Sequence, residues 1–276
     1  MFPKISCVQT TYGRFQCVER SMNMFLSQDY QGEKELIIFN TDVEHPYYDQ
    51  EELRASNIFV YNCNTDYITS QPYTNVGAIR RDALTHATGD YVVTWDDDDV
   101  FLPFFLSQGM YKIQTTGLPS FKPEQSFFYN GGWLRTVMNT MEASIVADIT
   151  KVREYGYLLE TGKEGLGWYT KMRDNRELNE HDPIYIPSYC FNWNDGDKLA
   201  APHKQSGDIN NPNNFENHKY ASRDYCMGKM RKYTEEEMRN IYHPYFAYLS
   251  EHIKEYDEQL VTVLNIKELK DKFLNQ

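Results

Sequence analysis

The chain has 276 residues and a mass of 32.6 kDa, which is enough to bury one sizeable hydrophobic core. Acidic residues outnumber basic ones by 40 to 28, and this net charge of -12 argues against general binding to phosphate backbones. No segment approaches the roughly 20 apolar residues of a membrane span or has the pattern of a signal peptide, so we expect a soluble, cytoplasmic protein.

The N-terminal residues predict a β–α–β unit. Apolar runs indicate strands at residues 5–9 and 35–39, with a helix at 18–26 between them. Strands joined by a helix pair in parallel, so their carboxyl ends lie at one edge of the sheet, where α/β enzymes bind ligands. The polar side chains expected at that edge are Thr10, Thr11, Tyr12 and Arg14 from the first loop and Asn40 and Asp42 from the second.

Four consecutive aspartates, Asp96 to Asp99, follow an apolar run that begins at Tyr91. A buried strand cannot carry so much like charge into a core, so the acids must lie where the strand leaves the sheet. An isolated group of this kind is more often a solvated turn. Here a predicted helix at 75–90, ended by Gly89 as C-cap, precedes the strand, and another at 104–113 follows the acids. That setting favours a bound hard divalent cation, which would relieve the repulsion.

Three segments resemble the family 2 glycosyltransferases, which have the GT-A nucleotide-sugar-binding fold. They are residues 5–14, 77–84 and 87–103, the last with the pattern AxGDYxxxxDDDDxxLP. The resemblance implies an α/β fold with a mixed, mostly parallel sheet flanked by helices, and a nucleoside-diphosphate sugar as donor. It also implies that Asp96 lies near the nucleotide ribose and that Asp98 binds Mn²⁺ or Mg²⁺. Asp97 occupies the variable middle position of the donor site.

The same resemblance assigns the remaining donor contacts. It implies that the first loop contacts the nucleobase and that Arg80 contacts the diphosphate or the nucleotide. Asn40 stands where the family commonly has aspartate; an amide both donates and accepts, so the base that is bound stays open. Arg81 stands where an asparagine is usual, and a role as a surface cation is an equal alternative.

The second half of the chain predicts the acceptor side. Patterns indicate strands at 126–129 and 142–146 and helices at 148–155 and 166–173. Glu164 resembles the first acid of the family's Glu-Asp segment, which supplies the catalytic base of inverting members, but Gly165 replaces the second acid. Glu160 is the nearby alternative as base. The sequence is equally consistent with Glu164 as an acid that stabilises a helix N-terminus.

A histidine-containing loop follows a strand predicted at residues 184–193. It resembles the loop of related transferases in which the histidine completes the metal shell or touches the diphosphate, which would make His203 a metal ligand. Imidazole suits Mn²⁺ better than Mg²⁺. The alternative is a surface or hydrogen-bonded histidine.

The C-terminal residues predict a helical appendage. Thr234 and Glu237 form a possible capping box, and we expect Pro244 to interrupt the helix that begins there, with further helix at 245–256 and 267–274. We therefore divide the chain into a catalytic domain at 1–220, with donor half 1–103 and acceptor half 104–220, and an extension at 221–276. Helical spacing favours packing on the catalytic domain over contact with a partner or a dimer.

The predicted function is metal-dependent, inverting transfer of a sugar from a nucleoside-diphosphate donor to an acceptor hydroxyl. A saccharide is the default acceptor, and hydroxymethylated DNA of the phage type is the alternative. A sugar-nucleotide nucleotidyltransferase and a non-catalytic nucleotide-sugar-binding module are the rival classes. The five cysteines lack CxxC spacing, which favours reduced thiols, and the oligomeric state stays open.

Overall fold

The computed structural model describes residues 2–47, 51–130, 133–159, 163–181, 185–192 and 231–274. Its strands are β1 (Ile5–Thr11), β2 (Lys34–Asn40), β3 (Ile58–Asn62), β4 (Tyr91–Thr94), β5 (Val100–Phe101), β6 (Ser120–Phe121), β7 (Gln125–Asn130), β8 (Trp133–Met138), β9 (Val146–Asp148), β10 (Leu178–Asn179) and β11 (Tyr189–Asn192). Its α-helices are α1 (Phe15–Leu26), α2 (Glu51–Arg54), α3 (Val76–Leu84), α4 (Phe105–Thr116), α5 (Ile149–Tyr155), α6 (Leu166–Asp174), α7 (Glu235–His252), α8 (Glu258–Val263) and α9 (Ile266–Leu274). Short 3-10 turns lie at Glu142–Ser144 and Ile253–Glu255.

The main sheet is mixed and has the strand order β10-β6-β9-β4-β1-β2-β3. β1 pairs in parallel with β2 and β4, and β2 pairs in parallel with β3, whereas β9 runs antiparallel to β4 and β6. The predicted parallel β–α–β unit at the N-terminus is therefore confirmed. Both strands are longer than predicted, since β1 continues to Thr11 and β2 to Asn40.

Apolar side chains cover both faces of this sheet. Along β2, Leu36 and Ile38 belong to a core shared with α1, α4 and the C-terminal helices, whereas Ile37 and Phe39 belong to a second core shared with α3 and α6. This alternation follows from the two-residue period of a strand. Both faces are mainly apolar, and the four aspartates lie beyond the end of β4.

A second sheet has four strands, the first of which follows β4 in the chain. Its order is β5-β11-β7-β8, with β11 parallel to β7 and antiparallel to β5. β5 follows the four aspartates directly, so this sheet begins where the acidic turn ends. The acidic turn therefore joins the two sheets.

The C-terminal helices pack on the second sheet and on α4. The Phe246 ring lies 5.6 Å from the Phe273 ring and 6.4 Å from the Phe104 ring. Thr136 Oγ1 of β8 donates a 2.8 Å hydrogen bond to the Tyr248 hydroxyl. The predicted packing is confirmed, as is the capping box of Thr234 and Glu237. The boundary predicted between 220 and 221 lies outside the described residues.

The prediction that Pro244 interrupts the helix is wrong. α7 runs continuously from Glu235 to His252 with Pro244 inside it. A proline removes the hydrogen bond to the carbonyl four residues earlier, here that of Asn240. Both Pro244 and Asn240 are exposed, so water can satisfy that carbonyl. Burial of Tyr242, Tyr245 and Phe246 on the other face holds the helix together.

Two further predictions of local structure are wrong. α3 ends at Leu84 with Thr85 as its cap, and Gly89 lies beyond it, where a Cβ would come within 2.7 Å of Ser6 Oγ. Residues 142–146 are not a strand, because Glu142–Ser144 form a 3-10 turn before β9. Asn139 stabilises that turn, since its side chain accepts from the Met141 N–H and donates to Ser144 Oγ.

Cysteine side chains agree with the expected reduced state, as Cys7, Cys17, Cys63 and Cys190 are free thiols. Cys7 and Cys190 lie in the core, as predicted. None of the described helices combines the length and the apolar character that a membrane crossing requires.

We expect Phe246→Ala to lower the free energy of unfolding by about 3 kcal/mol, because it removes a fully buried ring from between α4 and α9. Urea denaturation followed by tryptophan fluorescence measures this loss. Glu251→Ala, on the exposed side of the same helix, is the matched control and should change stability by less than about 0.5 kcal/mol. Equal effects of the two substitutions would mean that the C-terminal helices are not part of the core.

Candidate active site

The four aspartates lie at the carboxyl end of β4, beside the end of β1. Asp97, Asp98 and Asp99 are buried, with exposed fractions of 0%, 5% and 1%, whereas the Asp96 side chain is 25% exposed. The predicted placement at the strand end is confirmed. Buried carboxylates require compensating partners, and arginines from three places in the sequence supply most of them.

Arg14, in the loop after β1, binds the two middle aspartates. Its Nη2 lies 2.5 Å from Asp97 Oδ1, and its Nη1 donates to Asp98 Oδ2 at 2.9 Å. Thr11 Oγ1 donates to the other oxygen of Asp97 at 2.7 Å. Two residues predicted for the donor site, Thr11 and Arg14, therefore meet the acidic turn, and Asp97 is fully buried rather than exposed to solvent.

Arg20 of α1 holds the backbone of the same turn. Its Nη2 donates to the carbonyl oxygen of Asp98 at 2.7 Å and lies 3.4 Å from that of Asp97, and the side chain is buried. The positive charge thus acts on main-chain oxygens, which fixes the path of the turn rather than pairing with a carboxylate. Sequence patterns did not point to Arg20, since it lies within an otherwise amphipathic helix.

Arg80 of α3 forms a second cluster. Its Nη2 donates to Asp96 Oδ1 at 2.9 Å and its Nη1 donates to Glu142 Oε1 at 2.7 Å. The charges of Asp96, Glu142 and Glu164 all raise the pKa of this guanidinium, against the opposing effect of burial. The structure therefore brings Glu164 near Arg80, and it adds Glu142, which the sequence had not indicated.

Asp99 joins the acidic turn to the second sheet. Its Oδ2 accepts from the Tyr189 hydroxyl, and its Oδ1 accepts from the Asn192 N–H at 3.0 Å. The Asn192 side chain in turn donates to the carbonyl of Asp98 at 2.9 Å. β11 thereby fixes Asp99, whose two carboxylate oxygens are both used in hydrogen bonds within the fold.

The negative charge of the turn is compensated only in part. Burial raises the pKa of Asp97 to about 7, although Arg14 opposes this shift. Burial and the charge of Asp98 also raise the pKa of Asp96 and of Asp99. Such carboxylates are hard oxygen donors that suit Mn²⁺ or Mg²⁺, so the donor set fits the predicted cation. Within the described ranges, no three His, Cys, Asp or Glu side chains are arranged so that they could bind one metal ion.

The loop after β2 is ordered by its own hydrogen bonds. Asn40 is fully buried; its Nδ2 donates to the Asp42 carbonyl at 2.8 Å and to Asn62 Oδ1 at 2.9 Å, and its Oδ1 accepts from the Asp42 N–H. The Asp42 carboxylate lies 2.9 Å from His45 Nδ1. Thr41 N–H donates to the Thr11 carbonyl at 3.0 Å, which ties this loop to the first one.

The remaining predicted residues have different positions. Thr10 is at the end of β1, and burial with the nearby Asp42 charge raises the pKa of Tyr12. Glu164 is 8% exposed and directly precedes Gly165, the N-cap of α6. Glu160 and His203 lie outside the described residues, so their roles stay predictions. Arg81 pairs with Asp66 and Asp82 at 2.9 Å and 2.7 Å, away from the acidic turn.

A family model places this site in a known class of enzymes. The model of glycosyl transferase family 2 matches residues 6–192, more than half of the 276 residues. The chain belongs to glycosyl transferase family 2 and is a glycosyltransferase. Comparison with curated proteins gave no match.

Solved structures share the fold. S. aureus TarS 1–349 in complex with UDP-GlcNAc is 15% identical, with a TM-score of 0.52 over 98% of this chain and 89% of that chain. The same fragment in complex with UDP has a TM-score of 0.51 at 15% identity, over 98% and 89% of the two chains. Glucosyl-3-phosphoglycerate synthase from Mycobacterium tuberculosis, in complex with Mn²⁺, UDP-glucose and phosphoglyceric acid, is 16% identical over 64% of this chain and 68% of that chain, with a TM-score of 0.47. The GT-A fold predicted from the sequence is confirmed.

We expect Arg20→Met to lower the free energy of unfolding by about 2 kcal/mol, because two main-chain carbonyls lose a charged donor while the apolar stem is kept. Chemical denaturation measures the change. Lys267→Met, at an exposed position of α9, is the control for replacing a cation by methionine and should be nearly neutral. A loss below about 0.5 kcal/mol for Arg20→Met would show that the turn keeps its path without this contact.

Proposed function

We propose that the protein transfers a sugar from a UDP-sugar to an acceptor hydroxyl with inversion, using Mn²⁺ or Mg²⁺. The observation that carries the proposal is the acidic turn at the end of β4, flanked by Arg14 and Arg80 in a chain of family 2. UDP as the nucleotide is supported by the complexes of TarS with UDP and UDP-GlcNAc. In this proposal residues 1–103 form the donor half, 104–220 the acceptor half and 221–276 the extension.

The donor would lie across the carboxyl ends of β1, β2 and β4. Asp98 would hold the cation, with His203 as a further ligand, and Asp96 would accept a hydrogen bond from the ribose. Thr10, Thr11, Tyr12 and Arg14 line the loop nearest the base, with Asn40 and Asp42 beside it, and Arg80 is the cation next to Asp96. A bound divalent ion would neutralise the charge that gathers on the leaving diphosphate.

The acceptor oxygen would lose its proton to Glu164. An inverting transfer needs one carboxylate near the attacking hydroxyl, because the diphosphate itself is the leaving group. Glu164 is largely buried and its charge acts on Arg80, which supports this role. A saccharide is the proposed acceptor, since the net charge of -12 opposes binding of DNA.

We expect Asp98→Asn to weaken Mn²⁺-dependent binding of UDP-GlcNAc by at least about 10-fold, since a charged ligand oxygen is lost. Calorimetry with and without Mn²⁺ measures this. Asp90→Asn is the matched control, because Asp90 is an exposed aspartate at the opposite end of β4. Unchanged donor affinity in Asp98→Asn would contradict the assignment of Asp98.

We expect Glu164→Gln to slow the release of UDP from UDP-GlcNAc by about 100-fold while the donor affinity stays within about threefold, because only proton transfer is lost. A coupled assay for UDP measures the rate. Glu154→Gln, an exposed acid on α5, is the control. A variant that keeps the full rate would exclude Glu164 as the base, and binding without turnover in the unmodified protein would indicate a non-catalytic module.

A further inference from the structure

Gly165 has no conformational reason to be glycine. Its φ of -74° and ψ of -18° are those of an ordinary helical residue, which any side chain adopts. The space around Gly165, however, leaves no room for a side chain. A Cβ at this position would lie 2.2 Å from Glu142 Cγ, 2.7 Å from Glu142 Cδ and 2.9 Å from Glu142 Cβ. The Glu142 side chain therefore fills the volume that a side chain at residue 165 would take.

The position of Glu142 is fixed from the other side by Arg80. Arg80 Nη1 donates to Glu142 Oε1 at 2.7 Å, and the same guanidinium holds Asp96 through Nη2. The Arg80 side chain is only 10% exposed, and its Nε is buried with no hydrogen-bond partner among the residues that the structure describes. The Glu142 side chain is 24% exposed, so its carboxylate is both anchored and open to a ligand.

Electrostatics favour a carboxylate at this point. Gly165 is the N-cap of α6, and the free N–H groups of a helix N-terminus attract negative charge. The guanidinium of Arg80 supplies a full positive charge next to it. Since Oε1 of Glu142 binds Arg80, its Oε2 is the oxygen left to accept a hydrogen bond from a hydroxyl group.

We propose that Glu142 is the second carboxylate of the acceptor site, which binds the acceptor and so orients its attacking hydroxyl toward Glu164, in place of a side chain at residue 165. This inference rests on the proposed function, because the hydroxyl is that of the acceptor. Glu142 accepts a hydrogen bond from another O–H of the acceptor, which is a neighbouring hydroxyl of a saccharide or the second O–H of water. The attacking O–H then points to Glu164, which takes its proton as the oxygen bonds to the anomeric carbon and the bond to the diphosphate breaks. Gly165 is then a specific requirement of Glu142.

The first test measures the coupling between the two residues without any substrate. In the unmodified protein, Gly165→Ala should lower the melting temperature by about 3 °C or more, because the added methyl group displaces Glu142 from Arg80. In a Glu142→Gly background the same substitution should change it by less than about 1 °C. Equal shifts in the two backgrounds would overturn the claim that Glu142 occupies this volume.

The second test measures UDP release from UDP-GlcNAc and UDP-glucose with Mn²⁺, with water as the acceptor, and donor affinity by calorimetry. Glu142→Gln keeps the size of the side chain and should release UDP at least about 10-fold more slowly, with donor affinity within about threefold. In the exchange variant Glu142→Gly/Gly165→Asp, the relocated carboxylate should restore the rate at least about fivefold over Glu142→Gly alone.

The outcomes separate this inference from the proposed function. If the unmodified protein neither binds nor hydrolyses a UDP-sugar, the proposed function fails and the role of Glu142 fails with it. If it does both and Glu142→Gln keeps the full rate, only the role of Glu142 is overturned. A folded exchange variant that stays as slow as Glu142→Gly also overturns it, and an unfolded one leaves the decision to Glu142→Gln.

Discussion

Burial of like charge is the constraint on which the rest of this structure depends. The turn after β4 carries four carboxylates, and Asp97, Asp98 and Asp99 are almost fully withdrawn from water. The four residues of this turn are held by groups from different parts of the chain: Arg14 after β1, Arg20 in α1, Arg80 in α3 and Tyr189 in β11. A stretch that would be unstable by itself thus becomes the point where the elements of the fold meet.

Arg14 and Arg80 bind the acidic turn on two different sides. On one side, Arg14 pairs with Asp97 and Asp98 below the loops of β1 and β2. On the other, Arg80 lies between Asp96 and Glu142. The Glu142 side chain in turn lies against Gly165, at the N-terminus of α6. One guanidinium therefore fixes two carboxylates that come from separate parts of the chain. Their relative positions depend on a planar group whose two donors have a fixed separation.

The sequence predicted those parts of the fold that local patterns determine. β1, β2, β4 and the helices α1, α3 and α6 follow from apolar periodicity, and the ligand edge follows from the rule for parallel strands. It did not predict the 3-10 turn at Glu142, because the hydrogen bonds of Asn139 outweigh the strand pattern there. It also failed at Pro244, where tertiary packing of α7 overrides a local helix breaker. Glu142 and Arg20 were missed since their roles depend on residues more than 60 positions away in the chain.

The contact of the C-terminal segment with α1 has a consequence for how the protein acquires its fold. Tyr233 N–H donates to Asn23 Oδ1 across 210 positions of sequence, and Tyr242 donates to the carbonyl of Phe101. During synthesis, the part of α1 that the C-terminal segment contacts stays uncovered until the last fifth of the polypeptide has emerged from the ribosome. A chain with such long-range closure has a high contact order, which implies slow folding and a nascent state that exposes apolar surface to chaperones.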